Sequence, residues 1–255
     1  MLNRGSGVLL NISSLPGDFG IGDFSSYAKE FAKNILEMGF HWWQILPLNP
    51  IGLNHSPYDS YSSFAGNYLY IDPYGLVEDG LITYDDVSPY IFRGQPYNVE
   101  YENVKFNKRQ ILMRAFGLNE EKIPALIKDF ESKNHEWLED YATYMSLKSA
   151  FFGTPWQEWD EDIRFKREPA YGEFLKKYEK RILFFKFEQH LFYKQWFRLK
   201  EYVNSIGVNI LGDSPIYVSY DSADVYHHSK YFQLNKDLSM KKVAGVPPDA
   251  FSETG

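Results

Sequence analysis

The sequence predicts an α/β fold built on a parallel sheet, and three features carry that prediction. Three short apolar runs, "GVLLNI" (7–12), "HWWQILPL" (41–48) and "GVNILGDSPIYV" (207–218), have the length of buried strands. The second and third are each preceded by an amphipathic helical stripe that closes on a glycine. All three lead straight into stretches rich in Gly, Pro, Ser and Asp. Helix, glycine, buried strand and proline-containing loop, repeated in that order, is the rhythm of βα units.

The first helix is read from "DFSSYAKEFAKNILEMG". Tyr27, Ala28, Phe31, Ala32, Ile35 and Leu36 recur at steps of three and four, one face of an amphipathic helix. Asp23 is the expected N-cap and Gly39 the expected residue just past the C-terminus. The helix before the third run comes from "EQHLFYKQWFRLKEYVNSIG", where Leu191, Phe192, Trp196, Leu199, Val203 and Ile206 form a similar stripe. The first two strands stand about 35 residues apart, normal for one βα unit of a barrel. About 160 residues separate the second strand from the third, far beyond a crossover. Helical patterns near 103–116, 134–151 and 171–187 mark this stretch as a mostly helical insertion growing from one βα loop.

In such a fold the chemistry sits after the C-terminal ends of the strands. After the first run, "NISSLPGDFGIGD" offers Ser13 and Ser14 to a ligand, or is simply a turn capping the next helix. Its glycine spacing does not match a phosphate-binding loop. After the second, "PLNPIGLNHSPYDSYSSFAGN" sets Ser56, Tyr58, Asp59, Ser60, Tyr61, Ser62, Ser63 and Asn67 among aromatic rings. Hydroxyl, carboxylate and amide groups beside rings suit a polyhydroxylated ligand, although an ordinary polar loop has the same ingredients. After the third, Asp213 is expected at the sheet mouth, where a carboxylate is costly unless it binds something. Asp221 and Asp224 belong to a loop that solvent can cover entirely. The adjacent His227 and His228 are expected to point apart, as surface residues rather than metal ligands.

Composition narrows the function. At 255 residues the chain can bury a sizeable core as one large domain or two small ones. Its net charge of −7 argues against nucleic acid, whose phosphates need clustered Lys and Arg. It has no cysteine, which removes disulfides, thiol nucleophiles and thiolate metal sites. No apolar stretch of signal-peptide or membrane-spanning length is present, so a soluble cytoplasmic protein with no membrane partner is expected. The 20 Tyr, 20 Phe and 6 Trp are too many for the core alone and fit sites that stack sugar faces. From the residues themselves the result is a barrel-like α/β protein with a carbohydrate-compatible mouth, and no reaction.

Six stretches, "GVLLNISSLPGDFGIGD", "WWQILPLNPIG", "SPYDSYSSFAGN", "WLEDYATYMSLK", "GDSPIYVSYDSADV" and "VAGVPPDAFSETG", resemble the amylomaltase (disproportionating enzyme) family of 4-α-glucanotransferases, glycoside hydrolase family 77. They occur in family order from one end of the chain to the other. The resemblance implies a (β/α)8 TIM barrel, of which the chain holds only the N-terminal part, about three βα units with a mostly helical inserted subdomain. It divides into first barrel units (1–75), insertion (76–186), and barrel helix, third strand and truncated substrate-covering loop (187–255). The family moves α-1,4-glucan segments between acceptors with retention and uses no cofactor and no metal.

Retention requires two carboxyl groups roughly 5–5.5 Å apart. In the family the nucleophile is an Asp in an Arg-x-Asp-His run, which this sequence lacks, and the acid/base is a Glu further on. Both are expected beyond Gly255, so no catalytic residue is assigned here and the chain alone is expected to be inactive. What carries over is substrate binding: Ser56 and Tyr58 in the Ser-Pro-Tyr of the donor subsites, Asp213 at the cleavage point, and Asp249 and Ser252 in the loop that covers the glucan. The expected partner is a maltooligosaccharide. An incomplete barrel also leaves an open strand edge, so marginal stability and self-association are expected. Two other readings stay open: a non-catalytic glucan-binding fragment and a sugar hydrolase on another barrel.

Overall fold

The computed structural model describes residues 5–52, 55–95, 97–243 and, beyond them, 245, 247, 248, 250 and 252. Its sheet has three parallel strands, β1 (Gly7–Leu9), β2 (Trp42–Gln44) and β3 (Asn209–Leu211), with β2 in the centre. Val8, Trp43 and Ile210 lie level across it. Helix α1 (Ser26–Glu37) carries the chain from β1 to β2. The insertion follows as α2 (Pro73–Glu78), α3 (Tyr84–Val87), α4 (Tyr101–Asn119), α5 (Ile123–Lys133), α6 (Leu138–Ala150), α7 (Glu161–Arg164) and α8 (Ala170–Lys177). Helix α9 (Glu179–Ser205) leads into β3, and the short α10 (Ala223–His227) comes after it.

The helix-to-strand junctions are made alike. Gly39 at φ +87° and Gly207 at φ +93° follow the last turns of α1 and α9. In each case the next residue reaches back: Phe40 N–H donates to Ile35 O, and Val208 N–H to Val203 O. This is a Schellman closure, and it needs a residue without Cβ at the left-handed position. It turns the chain sharply enough that both strands start two or three residues after the glycine.

One face of the sheet packs against the helices, with Trp43 buried and Val8 and Ile210 half-buried. Trp43 is fully buried, its ring 4.9 Å from that of Phe31 on α1, and its indole N–H donates to Leu10 O at 2.8 Å. Leu199 and Val203 of α9, with Val208 just before β3, close the same core. The other face holds Leu9, Gln44 and Leu211 at one level, and Leu9 and Leu211 are 57% and 48% exposed.

The insertion packs on the long α9, which contacts α1, α4, α5 and α6. A second core of Tyr144, Trp156, Trp159 and Tyr226 joins α6 to α10. Two glutamines of α9 fasten the post-β2 segment through its backbone. Gln189 accepts from Gly66 N–H at 2.7 Å and donates to Gly66 O at 2.9 Å, and Gln195 does the same to Asp72 at 2.7 and 3.0 Å. Both glutamines are buried, so each pair satisfies groups that burial otherwise leaves orphaned.

Four expectations need correction. The third apolar run is a strand only as far as Leu211; Ile216 and Tyr217 are 91% and 70% exposed on the loop that follows. The cap of α1 is Ser25, because Asp23, two residues earlier, is buried against Lys108. The helical pattern at 171–187 is two helices that meet at Tyr178. The division placed between 186 and 187 falls inside α9, which is continuous there.

Candidate functional site

The segment after β2 folds back on itself through a bridge between Ile51 and Ser60 and a bond from Gly52 N–H to Asp59 O. Its tip is the turn Ser56-Pro57-Tyr58-Asp59, closed by Asp59 N–H donating to Ser56 O at 3.2 Å. The Ser56 hydroxyl accepts from Tyr58 N–H, also at 3.2 Å, and so fixes the direction in which Tyr58 leaves the turn. Tyr58 is 47% exposed, and its hydroxyl donates to Asp213 Oδ2 at 2.6 Å. Asp213 stands two residues past the end of β3, and its other oxygen accepts from Ser214 N–H at 2.8 Å. Residues 155 positions apart are thus joined at the C-terminal ends of adjacent strands.

The bond to Asp213 is the main reason the Tyr58 phenol lies above its ordinary range, since losing the proton loses the bond and sets two anions together. At neutral pH Tyr58 is therefore a donor and Asp213 an acceptor. The pair can orient a hydroxylated ligand in the open mouth beside it.

The structure brings Ser56, Tyr58 and Asp213 together. Asp249 lies outside the described residues, and Ser252 is half-buried. Most of the other polar residues of the post-β2 loop hold the loop itself. Ser60 donates to Ser62 O, the Ser62 hydroxyl accepts from Phe64 and Ala65 N–H, and Asn67 caps the next turn through Leu69 N–H. Near β1, Asn11 donates to the Ser13 hydroxyl and caps the short turn that contains it, so the turn reading prevails there.

Asp221 and Asp224 are less solvated than their sequence implies. Asp221 accepts from Tyr144 at 2.7 Å, from Trp156 N–H at 3.2 Å and from Lys148, and ties the loop to α6. Asp224 accepts from Ser63 N–H at 2.9 Å, which joins the post-β3 loop to the post-β2 loop. His227 and His228 do not point apart. Both converge on Asp140, at 3.2 and 2.9 Å. Burial first, then Lys166 and His228, push the His227 imidazole down to about 3, so it is neutral at pH 7 and its approach to Asp140 is not an ion pair. No group of three or more His, Asp or Glu among the described residues is placed to hold a metal ion.

Comparison with known proteins decides the family. The sequence model of glycoside hydrolase family 77, described as 4-alpha-glucanotransferase, matches residues 10–255. The chain belongs to that 4-alpha-glucanotransferase family. It is 42% identical to the 4-alpha-glucanotransferase of Aquifex aeolicus over 99% of its own length, and 40% identical to that of Thermus thermophilus over all of it. It covers 51% of each. Among solved structures it matches an amylomaltase from Streptococcus agalactiae in complex with acarbose, with a TM-score of 0.93 and 38% identity. That match covers 98% of this chain and 51% of the other. The chain thus spans about half the length of these relatives.

Sequence reasoning missed the backbone clamps of Gln189 and Gln195 and the convergence of two histidines on Asp140. The glutamines did leave a signal: both are uncharged polar residues on a helix otherwise dense with aromatic and aliphatic residues. The histidine cluster left none, because Asp140 comes from a helix 87 positions earlier in the sequence than His227.

Proposed function

We propose that these residues form the sugar-holding wall of a 4-α-glucanotransferase, which moves α-1,4-glucan segments between oligosaccharide acceptors in a (β/α)8 barrel. The observation that carries this is the Tyr58–Asp213 hydrogen bond of 2.6 Å at the mouth of the sheet. With the Tyr58 proton held by Asp213, the phenol oxygen and the carboxylate both present lone pairs that suit the hydroxyls of one glucose unit, and the half-exposed Tyr58 ring can lie against its apolar face. The acarbose in the Streptococcus agalactiae complex supports the same substrate class, being bound by a relative of the same fold.

The reaction proposed is double displacement with retention. One carboxylate attacks the anomeric carbon as the leaving oxygen is protonated, and the acceptor's hydroxyl then displaces the enzyme. In this reading Asp213 orients the sugar at the cleavage point while Asp249 and Ser252 cover it. Nucleophile and acid/base are not assigned within the 255 residues, since the Arg-x-Asp-His run is absent. No cofactor enters any step. The test is glucose release from maltotriose: these 255 residues alone should give none above background, and sustained turnover by them would refute the division of labour.

A second proposal follows from the sheet. Leu9 and Leu211 are exposed on one face, and β1 and β3 each pair only with β2 among the described residues. An apolar face flanked by open strand edges invites pairing with another copy of the chain.

A further inference from the structure

A second cleft, of about 440 Å³, opens where the post-β2 loop, the post-β3 loop and the start of α6 meet. Its floor is Trp137 with Phe64 beside it, the ring centroids 6.4 Å apart and the planes within 18° of each other. Tyr231 forms part of the wall and is 75% exposed, and Phe64 is 55% exposed. Asp140 and Asp224 line the same space, with His228 between the loops and α6.

Two near-parallel rings, one half-buried and one more than half exposed, are costly to leave against water unless something covers them. The polar groups around them are acceptors already steadied from behind: Asp140 by His228, Asp224 by Ser63 N–H. Steadied carboxylates with oxygen lone pairs to spare take hydroxyl donors. No Lys or Arg is among the residues described as lining the cleft, which disfavours phosphates and other anions. Continuity selects among hydroxylated ligands. The loop that supplies Phe64 carries Tyr58 six residues earlier, and the loop that supplies Asp224 carries Asp213 eleven residues earlier. The volume suits a short saccharide.

We propose that this cleft is a second α-glucan subsite, in which Trp137, Phe64 and Tyr231 offer ring faces to the sugar and Asp140 and Asp224 accept its hydroxyls. It rests on the glucan reading of Tyr58 and Asp213 and adds a foothold for longer chains, so its loss is felt most with long saccharides.

The test is titration of the 255-residue chain with maltoheptaose, by calorimetry and saturation-transfer NMR. Tyr231→Ala and Phe64→Ala remove exposed rings, and circular dichroism checks that both variants keep the fold. Each should weaken maltoheptaose binding about fivefold. In a Tyr58→Ala background some binding should remain and should fall further when Tyr231→Ala is added. If both ring variants bind like the wild type while Tyr58→Ala loses binding, the cleft is not a subsite and the reading of Tyr58 stands. If Tyr58→Ala binds like the wild type while the ring variants lose binding, the cleft is supported and the reading of Tyr58 fails. No saccharide binding by the wild type overturns both.

Discussion

Replacing Asp72 by Asn should make the protein more stable at pH 8 and leave it nearly unchanged at pH 4. Asp72 accepts from Tyr74 N–H at 3.0 Å and so caps α2, while its backbone is held by Gln195. Burial, and secondly the nearby Asp23, raise its carboxyl from 3.8 to about 7, against the pull of Lys108 and of the Tyr74 and Gly75 amides. The folded chain therefore keeps a proton that the unfolded chain gives up. The stability this group contributes is complete below about pH 4 and is lost as pH rises through about 7. A gap of about three pH units, at about 1.4 kcal/mol each, sets an upper bound of about 4 kcal/mol for the cost of ionising Asp72. Coupling to Asp23 and Lys108, and a weaker dipole interaction for an uncharged cap, reduce the expected gain to roughly 2–3 kcal/mol. Asn caps a helix about as well as Asp, so α2 should survive the change. Urea unfolding of both proteins at pH 4, 6 and 8, followed by far-UV circular dichroism, measures the difference. A gap that does not widen between pH 4 and pH 8, or an Asn variant less stable at pH 8, would refute the reasoning.

Lys108 and Asp23 are each about 1% exposed and lie 2.6 Å apart, and Lys108 also donates to Ile71 O at 2.7 Å. Lys108→Met should cost about 3–5 kcal/mol at neutral pH by stranding a buried carboxylate, and adding Asp23→Asn should recover much of that in the same urea experiment. The exposed Leu9 and Leu211 predict concentration-dependent association in sedimentation velocity. Replacing both with Thr should reduce it, and a wild type monomeric at all concentrations would count against the open-face proposal.

The helix–glycine–strand units were legible because each depends on local signals that the fold preserves. Gly39 and Gly207 sit at left-handed positions where the sequence asks for them, and of the residues that periodicity selects Ala28, Ala32 and Ile35 on α1 and Leu191, Phe192, Leu199 and Val203 on α9 are buried, the others half-buried. Strand length was not legible. Ile216, Tyr217 and Val218 have strand-like side chains, yet the backbone leaves the sheet after Leu211, and hydrophobicity cannot distinguish a core residue from one exposed at a sheet mouth. The same limit applied to polar groups. Asp23 looked like a cap because its sequence neighbours suit one, whereas its partner Lys108 is 85 positions away. Of the site, Asp213 was singled out by its place after the third apolar run and the family motifs narrowed the post-β2 loop to Ser56 and Tyr58, while the Tyr58–Asp213 hydrogen bond could come only from three dimensions.

The central claim is that Tyr58 acts on glucan together with Asp213, and a double-mutant cycle on maltoheptaose affinity tests it most directly. Tyr58→Phe and Asp213→Ala should each weaken binding, and the double variant should be little worse than the weaker-binding single variant, because either change removes the shared bond. Losses that simply add, or binding unchanged by both substitutions, would contradict it.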